Sequence, residues 1–100
     1  MGDTIEIYKN NSKTIIRTIT DLDSITGYTA VLTVKHSLEE DVVISSTGST
    51  DGLTVTFTLL PADTDIEPDS YIYDIVLSNT TNNYTVIQAA LTVLDSVKYN

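Results

Sequence analysis

Hydrophobic and polar residues alternate with a period of two along most of this chain, and the alternation is cleanest at residues 53–59. Leu53, Val55, Phe57 and Leu59 share one face there, and Thr54, Thr56 and Thr58 the other. That is the pattern of a strand with one buried side. Tyr71, Tyr73, Ile75 and Leu77 repeat it, as do Ala30, Leu32 and Val34 within residues 28–36, and Ile87, Ala89, Leu91 and Val93 within residues 84–94. Weaker alternation predicts a first, edge strand over residues 4–9, with Ile5 and Ile7 inward, and a short one over 42–46. Residues 14–20 are β-branched apart from Arg17, which suits a pleated surface. Ile15, Arg17 and Ile19 share one face and Ile16 lies on the other, so the buried side is ambiguous. An arginine can lay its stem on apolar surface and keep its head in water.

Turn formers separate these segments: Asn10-Asn11-Ser12, residues 21–27, Glu39-Glu40-Asp41, residues 47–52 with Asp51-Gly52 as the strongest hairpin signal, and residues 78–83. No segment carries a long helical period. The one long connection runs from Leu59 to Tyr71. It reads as an acidic turn whose first half is helical, with Asp63 capping that turn, Pro68 stopping it and Tyr71 entering the edge of the core. The Tyr71 hydroxyl is expected to return to the backbone of the turn as a tyrosine corner does. These patterns predict an all-β, immunoglobulin-like β-sandwich of about seven strands, with one short helical turn between the fifth and sixth. Residues 1–100 form one domain with its core at about 4–94.

Composition narrows the function more by exclusion than by assertion. The 100 residues hold 14 acidic and 5 basic side chains, a net charge of −9, and no cysteine. Disulfides and thiolate metal sites are therefore impossible. Beyond residue 50 the only basic residue is Lys98, which argues against binding to nucleic acid or to anionic lipid, both of which demand lysine and arginine. Residues 1–6 carry neither a basic region nor an apolar run, so no secretory signal is expected. No run approaches the ~20 apolar residues that span a bilayer.

Candidate chemistry is sparse. His36 is the single histidine; with no second histidine and no cysteine it reads as a surface residue ending a strand. No nucleophile elbow, phosphate loop or dinucleotide fingerprint is present, and no enzyme activity is expected. Asp63, Asp65, Glu67 and Asp69 alternate at every second position and are the calcium candidates. Counted from Asp63, they follow the spacing of an EF-hand loop, with Asp74 at the twelfth position. Pro68 stands where that loop needs glycine, however, and Asp74 stands where it needs glutamate. Strand phase also puts Asp74 on an outer face. The simpler reading is a capped turn with solvated neighbours and no cofactor. Asp21 and Asp23 form a second, smaller acidic pair. Tyr8, Tyr28, Tyr84 and Tyr99 could stack on sugars, although tyrosine is equally at home in sandwich strands and interfaces.

Several segments carry a resemblance. Residues 23–35, from Asp23 through Gly27 into the alternating strand, resemble phage virion immunoglobulin-like modules, in particular the N-terminal domain of phage baseplate upper proteins. Residues 53–59, then Pro61-Ala62-Asp63-Thr64, then residues 69–75 are similar to that group's strand, helical turn and Tyr-x-Tyr-Asp-Ile strand. Residues 84–93 resemble its final strand. The match spans roughly residues 21–93. It departs at Ser70, where the group often has glycine, and over the first two strands. The resemblance implies a non-enzymatic virion structural or assembly protein, made in the bacterial host cytoplasm and located in the virion. It would decorate a capsid, or serve as an auxiliary protein or a tail or baseplate adaptor. The partners implied are other virion proteins, or the chain itself as a homo-oligomer. The alternative is a host glycan or receptor-binding module on the virion surface.

Overall fold

Two sheets face each other across one apolar core in the computed structural model, which describes residues 4–20 and 22–95. Eight strands are present among the described residues: β1 (Ile5–Tyr8), β2 (Lys13–Thr18), β3 (Thr29–Lys35), β4 (Val42–Thr47), β5 (Ser49–Asp51), β6 (Thr54–Leu59), β7 (Asp69–Ser78) and β8 (Asn83–Leu94). The larger sheet has the order β1-β8-β7-β3-β4 and the smaller the order β2-β6-β5. All neighbours are antiparallel except β1, which runs parallel to β8 with Ile5 beside Leu91 and Ile7 beside Val93. This is a β-sandwich of immunoglobulin-like type.

The period-two residues build the core. Val55, Phe57 and Leu59 of β6 meet Ala30, Leu32 and Val34 of β3, Tyr71, Tyr73, Ile75 and Leu77 of β7, and Leu91 and Val93 of β8. Ile87 and Ala89, opposite Ile75 and Tyr73, are only partly buried. On β2 the side containing Ile15 and Ile19 is the buried one. Arg17 shares it, half-buried, its Nη1 donating to the Ile16 carbonyl at 2.9 Å while Nε lacks a partner. Ile16 is left facing solvent.

Two expectations are corrected. The connection after β6 contains no helix. It makes one turn, in which the Asp63 N–H donates to the Leu60 carbonyl at 2.8 Å, and then proceeds irregularly to β7. Pro68 therefore has no helix to stop; it immediately precedes β7. The second correction lies at residues 47–52, expected as a turn. The chain stays extended here: β4 runs to Thr47, Gly48 carries it into the other sheet, and β5 pairs with β6. Ser49, Thr50 and Asp51 are all exposed, so no alternation betrays this strand. The Asp51-Gly52 hairpin is present, with Gly52 at φ 61, a positive φ that glycine accepts without strain. Asn10, at φ 64, serves the β1–β2 turn in the same way, since asparagine tolerates that region. The loop between β2 and β3 is pinned by Ile25, which joins the core.

Candidate functional site

A set of hydrogen bonds and ion pairs surrounds the acidic corner between β6 and β7. Asp63 closes the turn from both sides: its Oδ2 accepts from the Leu60 N–H at 2.8 Å, and its own N–H donates to the Leu60 carbonyl. The only buried polar residue among those described is the next one, Thr64. Its hydroxyl donates to the Asn11 carbonyl at 2.8 Å, with the Pro61 carbonyl at 3.2 Å, and its carbonyl accepts from the Asn10 N–H at 3.3 Å. Lys9 pairs with Asp65 at 2.9 Å and reaches the Ile66 carbonyl at 3.4 Å. The β1–β2 turn is thereby stitched to the corner.

Further along, the Tyr71 hydroxyl donates to the Glu67 carbonyl at 2.6 Å. Burial holds its proton above the ordinary tyrosine value, and the charges of Asp69 and Glu67 push the same way. The Tyr71 ring meets His36 edge-on with centroids 5.3 Å apart. His36 follows β3, and both its ring nitrogens face carboxylates: Nε2 lies 2.8 Å from Asp69 Oδ2 and Nδ1 3.5 Å from Glu40 Oε1. The Asp69 hydrogen bond chiefly raises the His36 pKa, and the Glu40 and Asp69 charges add to the rise against some desolvation. Asp69 in turn titrates below its ordinary value, first because the Ser70 N–H donates to Oδ1 at 2.7 Å and then because of His36.

The calcium candidates do not converge. Asp63 is committed to the Leu60 N–H, Asp65 to Lys9 and Asp69 to His36, and Glu67 takes part through its backbone carbonyl. Among the described residues no group of three or more His, Cys, Asp or Glu is placed to hold a metal ion. Asp74 sits on the outer side of β7, opposite Thr33 and Gln88. Asp21 lies outside the described residues.

The tyrosines separate likewise. Tyr28 and Tyr84 come together, rings 5.9 Å apart and tilted by 46°, beside the β7–β8 turn. Tyr8 is level with Leu94 on β8, ten residues from Tyr84 and so on the order of 33 Å away along the strand. Tyr99 and Lys98 lie outside the described residues.

Sequence reasoning overlooked the roles of Lys9, Thr64 and His36. Glu40, four residues beyond His36, was a readable signal. Asp69 and the partners of Lys9 and Thr64 are brought in by the fold alone. Chemically, the corner can hold cationic groups among carboxylates and fix backbone. Neither nitrogen of His36 is directed at a hydroxyl.

No protein-family model matches the chain, and no curated protein matches it. Solved structures do. A candidate glycoside hydrolase from Bacteroides vulgatus aligns with 94% of this chain at 12% identity and a TM-score of 0.58. This chain spans only 17% of that protein's length. A structure from an investigation of the multimeric cell-adhesive interactions of voltage-gated sodium channel β subunits aligns over 93% of this chain and 90% of its own, at 14% identity and a TM-score of 0.53. At such identities the likeness is one of fold, an immunoglobulin-like sandwich.

Proposed function

We propose that this chain is a non-enzymatic structural or assembly protein of a bacteriophage virion, acting through protein–protein contacts. The observation that carries the reading is that the segments similar to phage virion modules are those that build the sandwich. Residues 53–59 supply β6, residues 69–75 supply the buried tyrosines of β7, and Pro61 to Thr64 form the corner. A compact sandwich suits a particle component, which must hold its shape. Repeated copies let modest contacts add up. The site contributes rigidity: Lys9, Asp63, Thr64 and Tyr71 lock one end of the sandwich.

The test is co-purification. Particles from a host carrying this gene, banded on a density gradient, should contain the chain at a constant ratio to a major structural protein. A chain that stays with free lysate protein refutes the proposal.

One observation favours a second reading, a host glycan-binding module. Tyr28 and Tyr84 stand together at the end where Asn79 turns the chain, its Oδ1 accepting from the N–H groups of Thr81 and Asn82. Amide shifts confined to these residues on adding host polysaccharide would support it. An unchanged spectrum removes it.

A further inference from the structure

Among the described residues four strand edges lie open at the sides of the two sheets, and three are short or carry charge. β1 has four residues and β5 three, too short to template much pairing. β2 carries Lys13 and Arg17. Short length and edge charge are the usual protections against edge-to-edge association. β4 has neither. Its six residues, Val-Val-Ile-Ser-Ser-Thr, include no charge and no proline, and four of them are β-branched. Among the described residues it ends the five-stranded sheet, bonded to β3 on one side only. Around its start the chain exposes an apolar fringe, Leu38 at 68%, Val42 at 49% and Val43 at 41%.

We propose that the free edge of β4 pairs with β4 of a second copy of this chain, antiparallel about a two-fold axis through Ser45. The two five-stranded sheets then become one of ten strands. The charge layout selects this occupant and direction. Glu39, Glu40 and Asp41 flank β4 at its beginning only, and Gly48 and Ser49 follow its end. Antiparallel pairing of two copies carries the acidic flanks to opposite ends, whereas parallel pairing would stack them.

Strand geometry sets the register. Residues opposite one another across an antiparallel pair share a face. Ile44 points into the core and Ser45 outward, so the axis passes through a residue and not between two. Centred on Ser45, the pairing sets Ile44 against Ser46, and the bulge at Val43 ends its regular part. Asp41 then falls opposite Ser49, beyond the point where the chain has left for the other sheet. An axis through Ile44 would draw Asp41 in against Thr47.

The contact is short, so the dimer is weak in solution. Each copy carries a charge of −9, and the paired strands carry none. The bodies therefore repel while the contact itself is neutral, and salt strengthens the association by screening. An interface held by ion pairs would respond in the opposite sense. The inference goes beyond the virion proposal and stands without it: pairing is measured on the isolated protein and virion membership on particles, so either can fail alone.

The experiment is sedimentation equilibrium over a concentration series at low and high salt. The expected result is a monomer–dimer equilibrium, tighter at high salt. Ser45→Lys places like charges across the axis, which disfavours a cross-strand pair, and should weaken the dimer by about tenfold. Ser45→Glu should do the same. Ser45 is exposed, so both variants should melt close to wild type. Mixing the two should restore association as a heterodimer. Thr14→Lys, on the exposed side of β2, should leave it unchanged. A monomer at every concentration and salt level overturns the proposal. So does a dimer that Ser45→Lys leaves intact, or one that Thr14→Lys weakens equally. If the mixed variants fail to associate where wild type does, the register through Ser45 is wrong.

Discussion

The hydroxyl of Tyr71 donates to the carbonyl of Glu67, four residues upstream, at 2.6 Å, and so ties the first buried residue of β7 to the corner leading into it. The bond fixes the path of the connection just before Pro68. Tyr71→Phe keeps the ring and removes only this bond. It should cost about 1 kcal/mol in denaturant unfolding; a change well under ~0.5 kcal/mol would mean the bond contributes nothing. The folded-state pKa of this phenol is raised above 10.0. Its stabilising share is therefore complete below the ordinary value and is lost as pH rises through the folded one. The gap between wild type and the variant should close on the alkaline side of pH 10.

Gly48 and Phe57 form a second dependence. A Cβ on Gly48 would lie 2.7 Å from Phe57 Cε1 and 2.9 Å from Cδ1 and from the Thr56 carbonyl oxygen. Phe57 is fully buried and cannot swing away. Gly48→Ala should destabilise by roughly 1–3 kcal/mol through overpacking, and Phe57→Ala by roughly 3–5 kcal/mol through the cavity it leaves. The two positions should couple: in a Phe57→Leu background, Gly48→Ala should cost clearly less than it does alone. Equal costs in both backgrounds would show that the clash is relieved elsewhere.

Which parts of this were readable follows from range. β3, β6 and β7 declare themselves through local alternation, because each buries one side. β5 does not, since Ser49, Thr50 and Asp51 bury nothing; only pairing with β6 makes them a strand. The acidic corner looked like a capped helical turn because Asp63 is a good capping residue, but its carboxylate reaches back to the Leu60 N–H instead of forward into a helix. The hydrogen bonds stop after one turn because Thr64 turns to Asn11 and Asn10 instead. Those partners lie more than fifty residues away, and no local pattern contains them. The same holds for Lys9 with Asp65, and for His36 with Asp69.

His36 gives a pH signature. Its pKa is raised by Asp69 first and Glu40 next, so its stabilising share is complete below 6.5 and is lost as pH climbs through the higher folded value. Asp69 is shifted down, so its share is complete above 3.8 and is lost as pH falls through the lowered value. The stability gap between wild type and His36→Gln should therefore plateau between these limits and fade on either side. Thermal melts across pH, with an NMR titration of the imidazole, check this. A gap that grows above neutrality would contradict the arrangement.

Calcium should not stabilise the fold specifically. The carboxylates of Asp63, Asp65 and Asp69 already have protein partners. Millimolar calcium should shift the melting temperature no more than magnesium at equal ionic strength. A larger rise with calcium, abolished by Asp65→Ala, would show a site that these contacts conceal.

Whether the chain is a virion protein, as proposed, can be read on particles. The most direct measurement is quantitative mass spectrometry of gradient-purified particles from the host that carries this gene. Peptides of this chain should appear in fixed stoichiometry to the major structural proteins, preparation after preparation. Particles that are infectious, complete and free of the chain would contradict it.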